Sequence, residues 1–327
     1  MEDFKIKINK RIYFKAVLLS VFSLVFCLPV FATFLYLDPP SGEYYSGDTF
    51  IGNVRIDVNE ECINTVKANL SFSKDILEVI DFSKGNSILS LWVEDPEINQ
   101  DLGLISFAGG IPGGYCGRIP GDPGISDLLG KIIFKIKENG SFEKIQSIKI
   151  EFLDDSKVLL NDGKGTPAKL TTKGAVFTIL AKSFDHIQDE NEWQKELEED
   201  KILPEPFIIE VRQNETLFDG KYFLIFSTTD KQTGLDHYEI AEAKVVGEQL
   251  QPLEWEIGTS PYLLKDQDLQ SIIKVKAVDK SGNERIVEIE PIKSLLSPEK
   301  KLFSWWFIIS VILVGGIIWW IKRKFKS

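Results

Sequence analysis

Thr65-Val66-Lys67-Ala68-Asn69-Leu70-Ser71-Phe72 decides the fold class. Apolar Val66, Ala68, Leu70 and Phe72 alternate without a break with polar Thr65, Lys67, Asn69 and Ser71. In an extended chain successive side chains point to opposite faces, so this run buries one face and wets the other. Upstream, Val54, Ile56 and Val58 alternate with Asn53, Arg55 and Asp57. Downstream, Ile132, Phe134 and Ile136 share one face, as do Ile148, Ile150 and Phe152. Turn-forming clusters separate the runs: Pro39-Pro40-Ser41-Gly42, Ser46-Gly47-Asp48, Glu138-Asn139-Gly140 and Asn161-Asp162-Gly163. The pattern predicts an all-β body over 33–181, a β-sandwich of roughly nine short antiparallel strands with no amphipathic helix.

Residues 182–206 break the alternation. Acidic side chains from Asp185 to Glu205 accumulate there, and Pro204 and Pro206 close the segment. It reads as a solvated acidic linker, with room for a short helix around Glu192–Glu199. Alternation resumes over 207–291, in strand candidates Phe207–Val211, Tyr222–Ser227, Asp236–Ile240, Ile272–Asp279 and Arg285–Ile289. Asp279-Lys280-Ser281-Gly282-Asn283 is expected as the hairpin turn between the last two. A smaller immunoglobulin-like or fibronectin-type β-sandwich is expected for this unit.

Leu35-Tyr36-Leu37-Asp38-Pro39 and Ser46-Gly47-Asp48-Thr49-Phe50 are similar to the first two strands of cohesin domains. Ile63–Phe72 with Leu77-Glu78-Val79 resembles the third and fourth strands, and Gly103–Phe107 and Gly130–Phe134 the sixth and seventh. Val158–Gly163 and Val176–Ile179 resemble the end of the domain. The resemblance implies a jelly-roll β-sandwich of the superfamily that cohesins share with some carbohydrate-binding modules. It also implies docking of a dockerin-like module on one flat sheet face, mainly through the third, fifth, sixth and eighth strands. The chain departs from the family pattern at Gly109–Gly124, which reads as an inserted Gly/Pro-rich loop. The second unit, with Ser227-Thr228-Thr229-Asp230, Gly234–Tyr238 and Val278–Asn283, resembles bacterial immunoglobulin-like surface modules.

Both ends carry membrane signals. The start is basic and then apolar from Ala16 to Leu37, with Val30-Phe31-Ala32 in the pattern of a cleavage site, so 1–32 is expected to be a signal peptide. An uncleaved anchor is the alternative. The uncharged stretch 302–321, flanked by Trp305-Trp306 and Trp319-Trp320, is expected to be a transmembrane helix. A juxtamembrane linker, 292–301, would lead into it, and Lys322, Arg323, Lys324 and Lys326 follow in a cytoplasmic tail, 322–327. This predicts a single-pass plasma-membrane protein with its body outside. Cys62 and Cys116 would then lie in an oxidising compartment, and a disulfide between them is expected, with two unpaired thiols as the alternative.

The chain is 327 residues long, 43% hydrophobic and 27% charged, which excludes wholesale disorder and a polytopic membrane protein. Its formal charge is −11. Nine of its cations lie in the first 15 and last six residues, so the body is still more acidic and disfavours nucleic acid as a partner. Two His and three Cys supply few transition-metal ligands, and no cofactor is implied. A binding protein fits better than an enzyme, since neither His186 nor His237 has a nucleophile or ligand spacing beside it.

The remaining motifs have plainer readings. Asn161-Asp162-Gly163-Lys164-Gly165 lacks the alternating oxygen ligands of a calcium loop and reads as a turn. Gly109–Gly114 lacks the Lys-Ser/Thr of a phosphate cradle. Trp92 shares parity with Ser90 and Glu94, which predicts an exposed ring able to anchor a protein or stack on a sugar; a strand buried on both sides, or a loop over the ring, is the alternative. Lys67, Asn69 and Ser71 would complete the binding patch, with Tyr115 as a second exposed aromatic. The expected partner is a protein docked by the cohesin-like domain, and the alternative is a polysaccharide.

Overall fold

The structure, a computed structural model, describes residues 32–59, 61–117, 127–138, 146–180, 191–246 and 249–291. The chain divides into two compact units. The first runs to Asp200 and includes Lys231–Thr233; the second comprises Lys201–Asp230 and the chain from Gly234 onward.

The first unit is a two-sheet β-sandwich. Its strands are β1 (Thr33–Asp38), β2 (Ser41–Tyr45), β3 (Thr49–Asp57), β4 (Ile63–Phe72), β5 (Leu77–Ser83) and β6 (Leu91–Asn99). They continue as β7 (Leu104–Tyr115), β8 (Leu128–Ile136), β9 (Gln146–Phe152), β10 (Lys157–Leu160), β11 (Leu170–Lys173) and β12 (Ala175–Leu180). One sheet has the order β11-β1-β3-β8-β5. The other has the order β2-β12-β9-β4-β7-β6, with β10 also paired to β4. Val66, Ala68 and Leu70 are fully buried, as are Val54, Ile56, Ile132, Phe134 and Ile150. The alternating runs therefore face one core, into which Tyr44, Phe50 and Phe177 also pack their rings.

Both faces of β8 are buried. Ile133 pairs across to Ile51, and Trp193 covers the two from outside the sandwich. Trp193 belongs to helix α1 (Glu192–Glu199), which Asn191 caps by accepting from the Trp193 and Gln194 amides. Lys131 of β8 pairs with Glu196 of the helix. The acidic segment is thus docked over the length of α1 and not solvated throughout, because one large apolar ring finds an apolar pair to cover.

Two further expectations are corrected here. Gly109–Tyr115 is not loop but the second half of β7, reaching as far as a pairing of Tyr115 with Ile63. Glycine permits this: a Cβ on Gly109 would lie 3.0 Å from both Leu89 Cδ1 and the Leu91 carbonyl oxygen. Among the described residues, moreover, no helix is long and apolar enough to cross a membrane. That overturns the expectation of a single-pass plasma-membrane protein. The stretch 302–321, on which that expectation was built, lies outside the described residues, as do 1–31, 292–301, 322–327 and the Gly/Pro-rich 118–126.

The second unit has its own two sheets. β13 (Ile209–Asn214), β14 (Leu217–Phe226) and β18 (Tyr262–Leu263) form one. β15 (Leu235–Val246), β16 (Gln249–Leu250), β17 (Glu256–Gly258), β19 (Ser271–Asp279) and β20 (Glu284–Ile289) form the other. Leu224 and Phe226 meet Ile240, Ile273 and Val275 in its core. At the β19–β20 hairpin, Asp279 accepts from the Ser281 and Asn283 amides, the expected turn.

Candidate binding face

On the outer side of the sandwich, β4, β7 and β6 lie side by side, and cross-strand pairing arranges their outward residues in rows. Lys67, Ala108 and Glu94 form the first row, Asn69, Ser106 and Glu97 the second, and Ser71, Leu104 and Asn99 the third. In the first row Lys67 reaches over the small Ala108 and donates to both Glu94 carboxylate oxygens, at 3.0 and 2.7 Å. The pair is half exposed, so its contribution to stability is small, on the order of 0.5 kcal/mol. What it does is hold two long side chains along one border of the face.

A second border comes from the turn between β9 and β10. Both strands flank the same edge of β4: β9 beside Leu70–Phe72 and β10 beside Ile63–Lys67. Asn69 falls in the gap between them. Its backbone N–H donates to the Ser156 hydroxyl at 3.1 Å, and its carbonyl accepts from that hydroxyl at 3.1 Å and from the Leu153 amide at 2.8 Å. The turn therefore closes over Asn69, which is only 7% exposed although it sits on the outer face. Its Oδ1 is buried with no hydrogen-bond donor among the described residues. A cavity of about 310 Å³, open to solvent, lies over the second and third rows, with Leu153 and Asp155 in its wall.

Lys67, Asn69 and Ser71 share this face, as their parity requires. Glu94, Glu97, Asn99, Ser106 and Asp155 complete it, and none of these five was singled out from sequence as a site residue. Only strand pairing brings them beside β4.

Trp92 does not join them. Its ring turns toward the core, 6.0 Å from Phe82 and 5.9 Å from Phe107, and Lys84 Nζ lies 4.8 Å from its centroid. The exposed apolar residues of β6 are instead Leu91 and Val93, at 56% and 66%. The pairing of β6 with β7 slips between Trp92 and Glu94 and again before Glu97, so parity counted through the segment inverts. Tyr115 is also half-buried, packed against the core at the end of β7.

The neighbouring motifs are structural. Cys62 and Cys116 are joined as a disulfide. Asn161 donates from its backbone to the Cys62 carbonyl and from Nδ2 to the Gly113 carbonyl, at 2.8 and 3.1 Å. Asp162 accepts from the Thr166 hydroxyl and the Lys164 amide, which hold its carboxyl below the ordinary value and tie its oxygens into their own turn. In the second unit, His237 is flanked by Asp236 and Glu239. His186 lies outside the described residues.

No family model and no curated protein matches the chain. It is similar to solved cohesin structures. A chain of a type I cohesin–dockerin complex from Clostridium thermocellum is 17% identical, with 46% of this chain and 94% of that one covered and a TM-score of 0.37. The seventh ScaB type I cohesin from Pseudobacteroides cellulosolvens is 16% identical, with coverages of 47% and 97% and a TM-score of 0.38. CaCohA2 from Clostridium acetobutylicum is 13% identical, with coverages of 46% and 93% and a TM-score of 0.34.

Proposed function

We propose that the first unit is a non-catalytic docking module whose β4–β7–β6 face binds a partner protein. The observation that carries this reading is the ordered array of outward side chains around one shallow cavity, bordered by the Lys67–Glu94 pair and the β9–β10 turn. A polar face with a recessed centre gives a partner both register and a place for an anchoring side chain. Binding of a dockerin-like module, which the sequence resemblance implies, is the specific form of this proposal. A polysaccharide is not proposed, because the ring expected to stack on it packs against Phe82 and Phe107.

The test uses the full chain immobilised and exposed to lysate of its own host, beside a Ser71→Arg/Asn99→Arg variant that crowds the third row. The expected result is a protein retained by the wild type and lost by the variant, with the two melting alike. Equal retention by both, or retention by neither, overturns the reading.

A further inference from the structure

The cavity on the β4–β7–β6 face has a chemistry that selects one kind of occupant. Asn69 lines this cavity, and its Oδ1 is a buried acceptor without a donor among the described residues. A buried carbonyl oxygen left unpaired is destabilising, and a donor brought by a ligand would relieve that cost. Two carboxylates lie on opposite sides of the opening, Glu97 from β6 and Asp155 from the β9–β10 turn. Both are exposed and form no ion pair among the described residues. Lys67, the cation at the rim, is already matched by Glu94. The local field is therefore negative and repels an anion. Leu104 and Leu153 supply apolar wall between the charges, suited to a methylene stem.

We infer that this cavity is a socket for the guanidinium group of an arginine side chain carried by the partner protein. The inference rests on the docking reading above and specifies what the partner must present. Arginine fits better than lysine because one planar group offers five N–H donors in a fixed fork and meets separated acceptors at once. An ammonium ion is a compact point charge that prefers full hydration. A neutral hydroxyl would satisfy Asn69 and leave both carboxylates unmatched.

The test needs no partner. The full chain, labelled with 15N, is titrated with acetyl-arginine methylamide, and in parallel with the lysine and citrulline counterparts; citrulline keeps the shape and loses the charge. The expected result is a saturable shift of the Asn69 side-chain amide and of the Ser106 and Glu97 backbone signals, with a Kd on the order of millimolar. Citrulline and lysine bind more weakly. A Glu97→Gln/Asp155→Asn variant, altered only at exposed positions, weakens the arginine probe by about tenfold, and Asn69→Ala weakens it with the fold intact by the same spectra. No saturable shift at these signals overturns the inference. So does an equal response to citrulline, a stronger response to lysine, or an unchanged affinity in the double variant. Probe binding without any captured protein removes the docking reading and leaves the socket; capture without a probe response does the reverse.

Discussion

Arg55 donates from Nη1 to Asp127 Oδ1 at 2.6 Å, joining β3 to the start of β8 with both side chains almost enclosed, 12% and 5% exposed. The same guanidinium donates from Nε to Asp38 at 3.1 Å, and the Tyr36 hydroxyl donates to the other Asp127 oxygen at 2.9 Å. Removing the Asp127 carboxylate takes away the acceptor shared by Arg55 Nη1 and the Tyr36 hydroxyl and leaves the half-exposed Asp38 to match a largely buried guanidinium, which is more costly than never having had the pair. Asp127→Ala is expected to lower stability by about 3 kcal/mol. Urea unfolding followed by circular dichroism checks this, and a loss under about 1 kcal/mol would show that water replaces the carboxylate.

Tyr36 makes the same network sensitive to alkali. Burial, followed by the hydrogen bond to Asp127, pushes its phenol from the ordinary 10.0 up to about 12. The folded chain holds this proton more tightly than the unfolded chain. Its contribution is therefore complete below pH 10 and is lost as pH rises from 10 to about 12. Urea midpoints of wild type and Tyr36→Phe should differ by a constant amount below pH 10 and diverge from that amount above it. Parallel curves across the window would mean that the phenol titrates normally.

The disulfide between Cys62 and Cys116 closes a loop with a sequence separation of 54. Such a loop restricts the unfolded chain by roughly 4 kcal/mol. Replacing both residues with Ser should lower the melting midpoint of the first unit by several degrees, and reductant should have no further effect on the variant. Equal midpoints for the oxidised wild type and the variant would contradict the prediction.

Trp193 is 4% exposed in a helix that carries four glutamates. Trp193→Ala should cost about 3 kcal/mol and release α1 from Ile51 and Ile133. Amide hydrogen exchange over Glu192–Glu199 would then accelerate while exchange in β4 stayed slow. Protection of α1 that survives the substitution would assign its docking to Lys131–Glu196 instead.

Much of the first unit is legible in the sequence. Val66, Ala68, Leu70 and Phe72 announce an inward face by period alone, and Lys67, Asn69 and Ser71 an outward one. The second burial of β8 was foreshadowed only by the unbroken Ile132-Ile133-Phe134, a signature of two-sided packing that does not name the covering residue. Trp92 defeated the parity rule because its strand slips register twice between Trp92 and Glu97. Glu97, Ser106 and Asp155 carry no local signal, since their proximity to Asn69 is set by which strands pair. The concealment of Asn69 was likewise out of reach, because Ser156 lies 87 residues further along the chain.

Where β9 stops and β10 begins, the backbone of Asn69 is served by a hydroxyl and a turn amide in place of a neighbouring strand. The ladder thus contains a short patch whose continuity is delegated to four residues, 153–156. Altering the length or charge of that patch would reshape the recess while β4, β7 and the core beneath kept their places. Specificity and foldability are separable here: mutational drift has one small hinge-free panel on which to change what the module accepts without jeopardising the scaffold that presents it.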